Sequence, residues 1–436
     1  MSISIPTIFT KSRNVAGAIV VRGLGVILQC LLQIVVARLA GPAGVSVLQI
    51  FQSWTCLSGE AAAMGLPLQL MKQAAVLGDS ATTRQLLILS IHTIVRIWLI
   101  LFVIAVVLRL INVNWFQTDW PIVLVASAAT LCFALQRVLA DLLKALNQVS
   151  FSIFAETSVV PVGVIILCLI AAAQNSSSPL VIINLVYFAA AWLALATALC
   201  LAKSLSLLTI RRSTETSTAA KQQLFQRETA YFWVTSMLAI AFLNLPFFIM
   251  PQFGGIEELG RFTIAFKLIN PITTILIMLS AFFAPSFSRA SAAQDQQALR
   301  KQLVRSQYVS LALYIPILIP VLVFKQHILL VFGQNFAGAE FYIVVLALCQ
   351  LTNAATGLAG TLLNMVGKGK YELYITICLF SATAIGSLLI GPKYGTQGIA
   401  VVYASGFAIK NICSYLCAWQ YTKTYNQQQS LEGASL

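Results

Sequence analysis

Ionisable side chains inside long apolar stretches are the residues of this chain most suited to chemistry. A charge at membrane depth is costly, so each such group needs a partner, water or a function. Bases outnumber acids among them, which favours an anionic ligand over a cationic one. The set comprises Arg22, Glu60, His92, Arg96, Arg137, Asp141, Lys267 and Lys410.

Helical spacing places these groups in polar stripes, because positions near multiples of 3.6 share one face. Hydrogen bonding between helices explains single Thr, Ser or Cys side chains in such stripes. It does not explain cations on separate helices, and for these we predict a shared water-filled cavity. The stripes are Arg22, Gln29 and Gln33; Gln49, Ser53, Cys56 and Glu60; Thr130, Arg137 and Asp141; Thr263, Lys267, Asn270 and Thr274; and Gln350, Asn353, Gly357, Thr361 and Asn364.

The acids of this set have alternative interpretations. Arg137 and Asp141 are spaced i, i+4 on one helix, which favours a structural ion pair over contact with a ligand. Glu60 has no partner on its own helix. It either neutralises Arg22 or exchanges protons, and the sequence does not distinguish the two. Glu60 and Asp141 are therefore the candidates for coupling to an ion gradient.

The polar lining predicts the chemistry of the ligand. Arginine guanidinium groups and lysine ammonium groups donate hydrogen bonds to phosphate oxygens. Amide and hydroxyl groups hydrogen-bond to hydroxyl-rich molecules. A phosphate-bearing, sugar-like molecule fits both requirements. The predicted ligand-binding residues are Arg22, Gln29, Gln49, Arg96, Arg137, Lys267, Asn270 and Asn353.

The elements that carry these residues are predicted to be transmembrane helices. Of the 436 residues, 59% are hydrophobic and 9% are charged, against about 25% charged in a soluble protein. Apolar windows long enough to cross a bilayer recur throughout. The chain is thus an all-α polytopic membrane protein with about twelve spans. They are Val15–Ala37, Val45–Leu66, Leu86–Leu110, Trp120–Leu143, Phe151–Ala173, Leu180–Leu201, Ala230–Met250, Leu259–Ala284, Leu303–Phe324, Phe341–Val366, Tyr371–Ile390 and Gln397–Trp419.

The basic residues predict orientation and domain organisation. The formal charge of +14 falls mostly in alternate short loops, so it reflects the positive-inside bias and not nucleic-acid binding. Both termini are expected on the cytoplasmic side, with the first span retained as a signal anchor. A polar, basic linker at 203–228 separates six-helix lobes at 1–202 and 229–424, and a polar tail occupies 425–436.

Two short motifs recur about 215 residues apart, which indicates an internal duplication. Gly41 to Gln52 aligns with Gly255 to Phe266, and Leu142 to Phe151 aligns with Leu362 to Tyr371. Ser46 departs from this pattern, because its counterpart is Gly260. Two parallel six-helix repeats around a central cavity are therefore expected, as in transporters with a midplane site.

Motifs of enzymes and cofactor sites do not occur in the sequence. There is no phosphate-binding P-loop, no metal-ligand cluster and no nucleophile elbow. All nine cysteines lie in apolar segments and none is in a C-x-x-C pair, so we expect buried thiols. No cofactor and no metal are predicted, and the chain is not expected to be an enzyme.

The turn ARLAGPAG at 37–44, with Gln49 downstream, resembles the turn between helices 1 and 2 of Wzx-type polysaccharide flippases. The run GKGK at 367–370 is similar to their segment after helix 10. These flippases belong to the multidrug/oligosaccharidyl-lipid/polysaccharide (MOP) exporter superfamily. In its relatives, cavity cations hold a diphosphate, which by resemblance assigns that role to Arg22 and Lys267.

The resemblance implies two lobes around a cavity and alternating access. It implies translocation of a polyprenyl-diphosphate-linked oligosaccharide, such as an O-antigen unit, from the cytoplasmic to the periplasmic leaflet of a bacterial inner membrane. A polysaccharide polymerase and a chain-length regulator are the implied partners, with membrane lipids around the helices. The alternatives are a multidrug cation antiporter, disfavoured because the first helix carries Arg22 and no acid, and a membrane enzyme of glycan assembly.

Overall fold

The computed structural model describes residues 5–77, 81–110, 120–146, 148–173, 179–204 and 227–432. The described residues form helices joined by turns, which confirms the predicted all-α class. Contacts divide the chain into two compact units, Met1–Ala241 and Phe242–Leu436. Most of the predicted linker, at 205–226, and the last four residues of the tail lie outside the described ranges.

The first unit is built from seven helices and the start of an eighth within the described ranges. They are α1 (Ile5–Ala63), α2 (Leu66–Leu77), α3 (Ala81–Leu110), α4 (Trp120–Ala145), α5 (Val149–Thr157), α6 (Val159–Ala173), α7 (Pro179–Ser204) and α8 (Arg227–Ile249). An apolar cluster that includes Leu66, Leu86 and Leu142 packs α2, α3 and α4 together. This packing fixes α4, which carries Arg137 and Asp141.

The second unit continues from the end of α8 with further helices. They are α9 (Pro251–Ile269), α10 (Pro271–Ala292), α11 (Gln296–Val323), α12 (Lys325–Phe332), a 3₁₀ helix (Gln334–Ala339), α13 (Glu340–Thr356), α14 (Ala359–Met365) and α15 (Gly369–Glu432). Helix α13 packs against both α9 and α15.

Nine helical windows in the described ranges are long and apolar enough to cross a membrane. Val20–Ala63 and Gly369–Lys423 each contain two of the predicted spans, joined at a glycine inside one continuous helix assignment. The shorter apolar helix Leu185–Cys200 corresponds to the sixth predicted span. The described structure is therefore consistent with twelve spans.

The two predicted repeat turns have the same backbone conformation. Gly41 has φ 62° and ψ −163°, and Gly255 has φ 78° and ψ 174°. This combination is open almost only to glycine, because a Cβ atom would clash with the neighbouring backbone. Both residues reverse the chain between consecutive spans, so the duplication seen in sequence is also a duplication of structure.

The second repeated motif also keeps its backbone geometry. The Gln148 N–H donates to the Leu143 carbonyl at 2.9 Å, and the Lys368 N–H donates to the Leu363 carbonyl at 2.8 Å. The residues occupy matching positions in the aligned segments. The same hydrogen-bonded turn therefore ends α4 in the first unit and α14 in the second.

Several predicted spans contain a local break between two helices, a feature that window length does not predict. The second span breaks at Met64 and Gly65, the fifth at Ser158, the eighth at Asn270 and the tenth at Gly357. Pro271 begins α10 and supplies no backbone N–H to continue α9. Gly357 has φ 62° and ψ −137°, which ends α13.

No disulfide joins the nine cysteines, all of which the structure describes, as expected. The prediction that all are buried is wrong, because only Cys132, Cys168 and Cys349 are buried whereas Cys200 and Cys378 are exposed.

Candidate substrate-binding residues

The polar stripe on the second half of α1 is buried. Gln49, Ser53 and Glu60 are at most 5% exposed. The Gln49 side-chain amide donates to the Ser53 hydroxyl at 3.0 Å. Because these residues follow the Gly41 turn at helical spacing, the stripe faces the interior of the first unit. The predicted face is present, but its members hydrogen-bond to each other.

Glu60 forms an ion pair with Arg137 of α4. An Nη1 atom of Arg137 lies 3.0 Å from a carboxylate oxygen of Glu60, whose side chain is 2% exposed. A carboxylate buried this deeply requires a counter-charge. The predicted Arg137–Asp141 pair is therefore wrong, and so is Arg22 as the counter-ion of Glu60. Helical spacing identified the correct face of α4 but not the helix packed against it.

Asp141 has a different partner within the first unit. The Lys144 ammonium lies 2.9 Å from Asp141 and also 2.9 Å from Glu156 of α5. The Lys144 ammonium thus bridges two carboxylates and links the end of α4 to α5. The i, i+3 spacing of Asp141 and Lys144 could have indicated the first contact, whereas nothing local indicated the contact with Glu156, which lies on another helix. A coupling role for Glu60 or Asp141 stays a prediction.

Arg22 and Gln29 lie on the protein-facing side of α1. Val20 and Ile27 form the exposed apolar side of this helix, at 70% and 58% exposure. Gly25, on the opposite side, packs against Thr157 of α5. Arg22 and Gln29 are half-buried next to that contact. Arg22 makes no ion pair with any residue that the structure describes, so its charge is available to a ligand.

Arg96 is placed differently from the other predicted residues. It is exposed, as is His92 one turn earlier. The exposed row continues along α3 through Leu99, Ile100 and Val103. The structure therefore puts Arg96 on an otherwise apolar face and not in a buried polar stripe. Arg96 makes no ion pair within the described ranges, so it remains a candidate for an anion that approaches along α3.

The second unit carries Lys267 and Asn270 at a helix break. Lys267 is half-buried in the last turn of α9. The carbonyl oxygen of the Asn270 side chain accepts a hydrogen bond from the Thr273 hydroxyl at 2.7 Å. Asn270 stands between α9 and α10. Interrupted helices offer unpaired backbone groups at membrane depth, as in known transporter sites.

The stripe of α13 is shorter than predicted. The Asn353 side-chain amide donates to the Gln350 side chain at 2.9 Å, and both are buried. The break at Gly357 moves Thr361 and Asn364 onto α14, so they do not continue this stripe. The predicted five-residue stripe is therefore wrong beyond Asn353.

Two polar clusters of the second unit were missed by sequence reasoning. Lys410, one of the ionisable residues predicted to lie inside an apolar stretch, pairs with Glu372. The Tyr342 hydroxyl donates to Glu258 at 3.0 Å and contacts Thr396 at 2.8 Å, while Glu258 also binds Arg261. Both clusters join segments far apart in the chain, so spacing within one helix gave no signal for them.

One family model matches part of the second half of the chain. The family model MatE matches residues 228–389. A curated relative, the probable low-salt glycan biosynthesis flippase Agl15 of Haloferax volcanii, is 27% identical over 149 residues. That match covers 32% of this chain and 31% of the relative. The chain thus matches about a third of the relative's length.

Solved structures with this fold cover nearly the whole chain. One is an inward-facing multidrug resistance MATE family transporter of the MOP superfamily, with a TM-score of 0.69 and 11% identity over 95% of this chain and 99% of that one. Another is the lipid II flippase MurJ in an inward closed conformation, with a TM-score of 0.65 and 11% identity over 93% of this chain and 87% of that one. The chain therefore has the fold of MATE transporters and MurJ.

The class that emerges is a multi-pass membrane protein of MATE-like fold. The family model matches residues 228–389, the curated relative carries the name of a probable glycan flippase, and the two solved structures with this fold are a multidrug transporter and a lipid II flippase.

Proposed function

We propose that this protein is a flippase that moves a polyprenyl-diphosphate-linked oligosaccharide repeat unit between the leaflets of a membrane by alternating access. The glycan flippase relative and the MurJ-like fold support a lipid-linked glycan as cargo. The Wzx-like turn at 37–44 supports a surface polysaccharide such as O-antigen.

The charge balance of the first unit is the observation that carries this proposal. The acids of this unit whose side chains the structure describes, Glu60, Asp141 and Glu156, are all held by Arg137 or Lys144. Arg22 and Arg96 make no ion pair among the described residues. Transmembrane helices with paired acids and available cations favour an anion, and a diphosphate accepts several charge-assisted hydrogen bonds.

A multidrug cation antiporter is the second candidate, and the 0.69 TM-score to a multidrug transporter favours it. Such a carrier needs a carboxylate that can exchange its proton for the cargo cation. In the first unit, the buried carboxylate of Glu60 is already engaged by Arg137. The charge balance therefore favours the flippase.

The cellular setting follows as part of the same proposal. We place the protein in the bacterial inner membrane with both termini in the cytoplasm, because basic residues concentrate in alternate loops. A glycan flippase in this setting would deliver its cargo to a polysaccharide polymerase and a chain-length regulator. A gene neighbourhood rich in glycosyltransferases would agree with this assignment.

Replacement of Arg22 or Lys267 by alanine tests the function directly. Loss of a hydrogen bond to a charged group costs about 1.5–3 kcal/mol, so we expect each variant to flip the cargo about 10- to 150-fold more slowly. The measurement uses the full chain in proteoliposomes with a fluorescent polyprenyl-diphosphate oligosaccharide. Flipping is followed as access of the label to a membrane-impermeant quencher.

Matched variants complete this experiment. Arg22→Lys keeps the charge and should retain part of the rate, whereas Lys301→Ala removes an exposed cation at the start of α11 and should have no effect. Wild-type flipping by the Arg22→Ala/Lys267→Ala double variant would reject the cationic site. Saturable transport of a cationic dye, without flipping of the labelled glycan, would favour the antiporter.

A further inference from the structure

The turn between α14 and α15 forms a small cavity outside the stripes described above. Its volume is about 340 Å³, and its lining comprises Gly367, Lys368, Lys370, Tyr371 and Tyr374. A candidate membrane span begins at Gly369, next to the cavity. The cavity therefore lies where this helix would meet the membrane–water interface.

The cavity is positively charged and aromatic. The Lys368 ammonium lies 5.9 Å from the ring centroids of both Tyr371 and Tyr421. Lys370 is exposed, and neither lysine makes an ion pair with a described residue. The nearby acid, Glu372, is bound to Lys410 and does not neutralise them. Two lysine charges thus remain available beside exposed tyrosine hydroxyl groups.

The backbone adds to this charge. The Lys368 N–H is used in the turn, where it donates to the Leu363 carbonyl. The Tyr371 N–H donates to the Lys368 carbonyl at 3.0 Å, so the N–H groups of Gly369 and Lys370 are the ones at the start of α15 that have no acceptor within the helix. The positive end of the helix dipole lies at the same place. Lysine ammonium groups and N–H donors therefore converge on one small volume.

The repeated turn in the first unit shows that the fold does not require these residues. Its backbone hydrogen bond is the same, from the Gln148 N–H to the Leu143 carbonyl. The aligned positions, however, hold uncharged groups without phenol hydroxyls. Lys368, Lys370, Tyr371 and Tyr374 correspond to Gln148, Ser150, Phe151 and Phe154.

The difference between the copies is chemical and not geometric. Phe151 and Tyr371 are similarly exposed, at 52% and 54%, so both copies present an aromatic ring at the surface. Only the second copy has ammonium and phenol hydroxyl groups at these aligned positions. An apolar ring suffices for contact with lipid chains, whereas the added donors suit a phosphate.

We propose that this turn of the second unit, residues 367–374 with Tyr421, binds the phosphate of an anionic lipid head group. The lysines contact the phosphate oxygens, the tyrosine hydroxyls donate to them, and the acyl chains follow the apolar surface of α15. Basic residues and tyrosines at an interface are the groups that recognise such head groups. The site is separate from the proposed cargo contacts and does not depend on them.

Native mass spectrometry of the full chain in detergent tests this proposal, with phosphatidylglycerol and phosphatidylcholine as probes. The Lys368→Gln/Lys370→Ser variant installs the residues of the first copy, in which the same turn forms. We expect it to bind phosphatidylglycerol about 30-fold more weakly, with no change for phosphatidylcholine. Tyr371→Phe/Tyr374→Phe should weaken binding by a smaller factor.

Control variants and a soluble probe separate the explanations. Lys301→Gln/Lys393→Gln removes two exposed lysines elsewhere in the second unit and should leave phosphatidylglycerol binding unchanged. Equal weakening by this control would mean general surface charge and would overturn the proposal, as would unchanged binding by the Lys368/Lys370 variant. Inorganic phosphate alone should not bind. Saturable phosphate binding lost in the same variant, without preference for phosphatidylglycerol, would overturn the lipid assignment in favour of a free anion.

Discussion

The two units keep the same turns but distribute their buried polar groups differently. In the first unit, helix α4 carries Arg137 and Asp141, which form ion pairs with Glu60 and Lys144. In the second unit, the corresponding region holds the neutral pair Gln350 and Asn353 and a helix break at Gly357. A duplicated backbone has thus been combined with charged contacts in one copy and with neutral contacts and a broken helix in the other.

This difference indicates how the halves divide their tasks. Charged bridges between α1, α4 and α5 hold the helices of the first unit together, which favours a rigid support for Arg22. The second unit ends α9 and α13 at breaks within the predicted spans, as the first unit does at Met64 and Ser158, and each break gives a point at which a helix can bend. Its partly buried ion pair between Glu372 and Lys410 instead joins the segments of α15 before and after the kink at Gly395.

The largest expected effect comes from removing one partner of the bridge between α1 and α4. Glu60→Ala leaves the guanidinium of Arg137 without a counter-charge, so we expect the free energy of unfolding to fall by about 3–5 kcal/mol. Chemical unfolding of the purified protein in detergent measures this change. The double variant Glu60→Gln/Arg137→Gln removes both charges and should recover most of the loss. If the double variant is as unstable as Glu60→Ala, charge pairing is not the cause.

An intermediate effect is expected at the paired turns, and it should be alike in both units. Gly41→Ala and Gly255→Ala each force a Cβ atom into a backbone conformation that costs about 1–3 kcal/mol. No other atom lies within 4 Å of either added Cβ, so the cost is purely conformational. Thermal unfolding of the two variants measures it.

The control for these turns is Gly23→Ala, because Gly23 is also surrounded by open space but lies in regular helix. Alanine is favoured over glycine there by up to about 1 kcal/mol, so this variant should be neutral or slightly stabilised. Clearly unequal losses at Gly41 and Gly255 would contradict the structural equivalence of the two turns.

The smallest effect is expected at the neutral contact of the second unit. Gln350→Ala removes the acceptor of the Asn353 side chain, and a neutral hydrogen bond contributes about 0.5–1.5 kcal/mol. The free energy of unfolding, measured under the same conditions as for Glu60→Ala, should fall by that amount. A loss as large as that of Glu60→Ala would remove the distinction between the charged contact of the first unit and the neutral contact of the second.

Much of the fold could be predicted from the sequence because its signals are local. Apolar window length predicted the spans, since the thickness of a bilayer sets the length of a crossing helix. The glycine-containing turns at Gly41 and Gly255 were recognisable because few other residues adopt their conformation. The breaks at Met64 and Asn270 were missed, because the length and hydropathy of an apolar window do not depend on whether its helix is continuous or interrupted.

For the site, helical spacing correctly put Arg22 and Gln29 on the protein-facing side of α1 and Glu60 on a buried face. Helical spacing could not identify the counter-charge of a charged residue, because that counter-charge lies on another helix. Arg137 therefore appeared to pair with Asp141, four residues away, although Glu60 lies 3.0 Å from it. Arg96 shows the same limit, because its exposed position depends on how α3 packs.

By itself, the sequence determined that the chain crosses a membrane, that two similar halves follow one another, and that cations outnumber acids at depth. Each of these properties depends on composition or on spacing along one helix. The tertiary structure alone decided which charges neutralise each other, where the helices break, and that the lysines and tyrosines of the second copy of the repeated turn line a cavity. Those properties depend on contacts between residues far apart in the chain. A charge that is buried by such packing must find its counter-charge on whichever helix lies next to it.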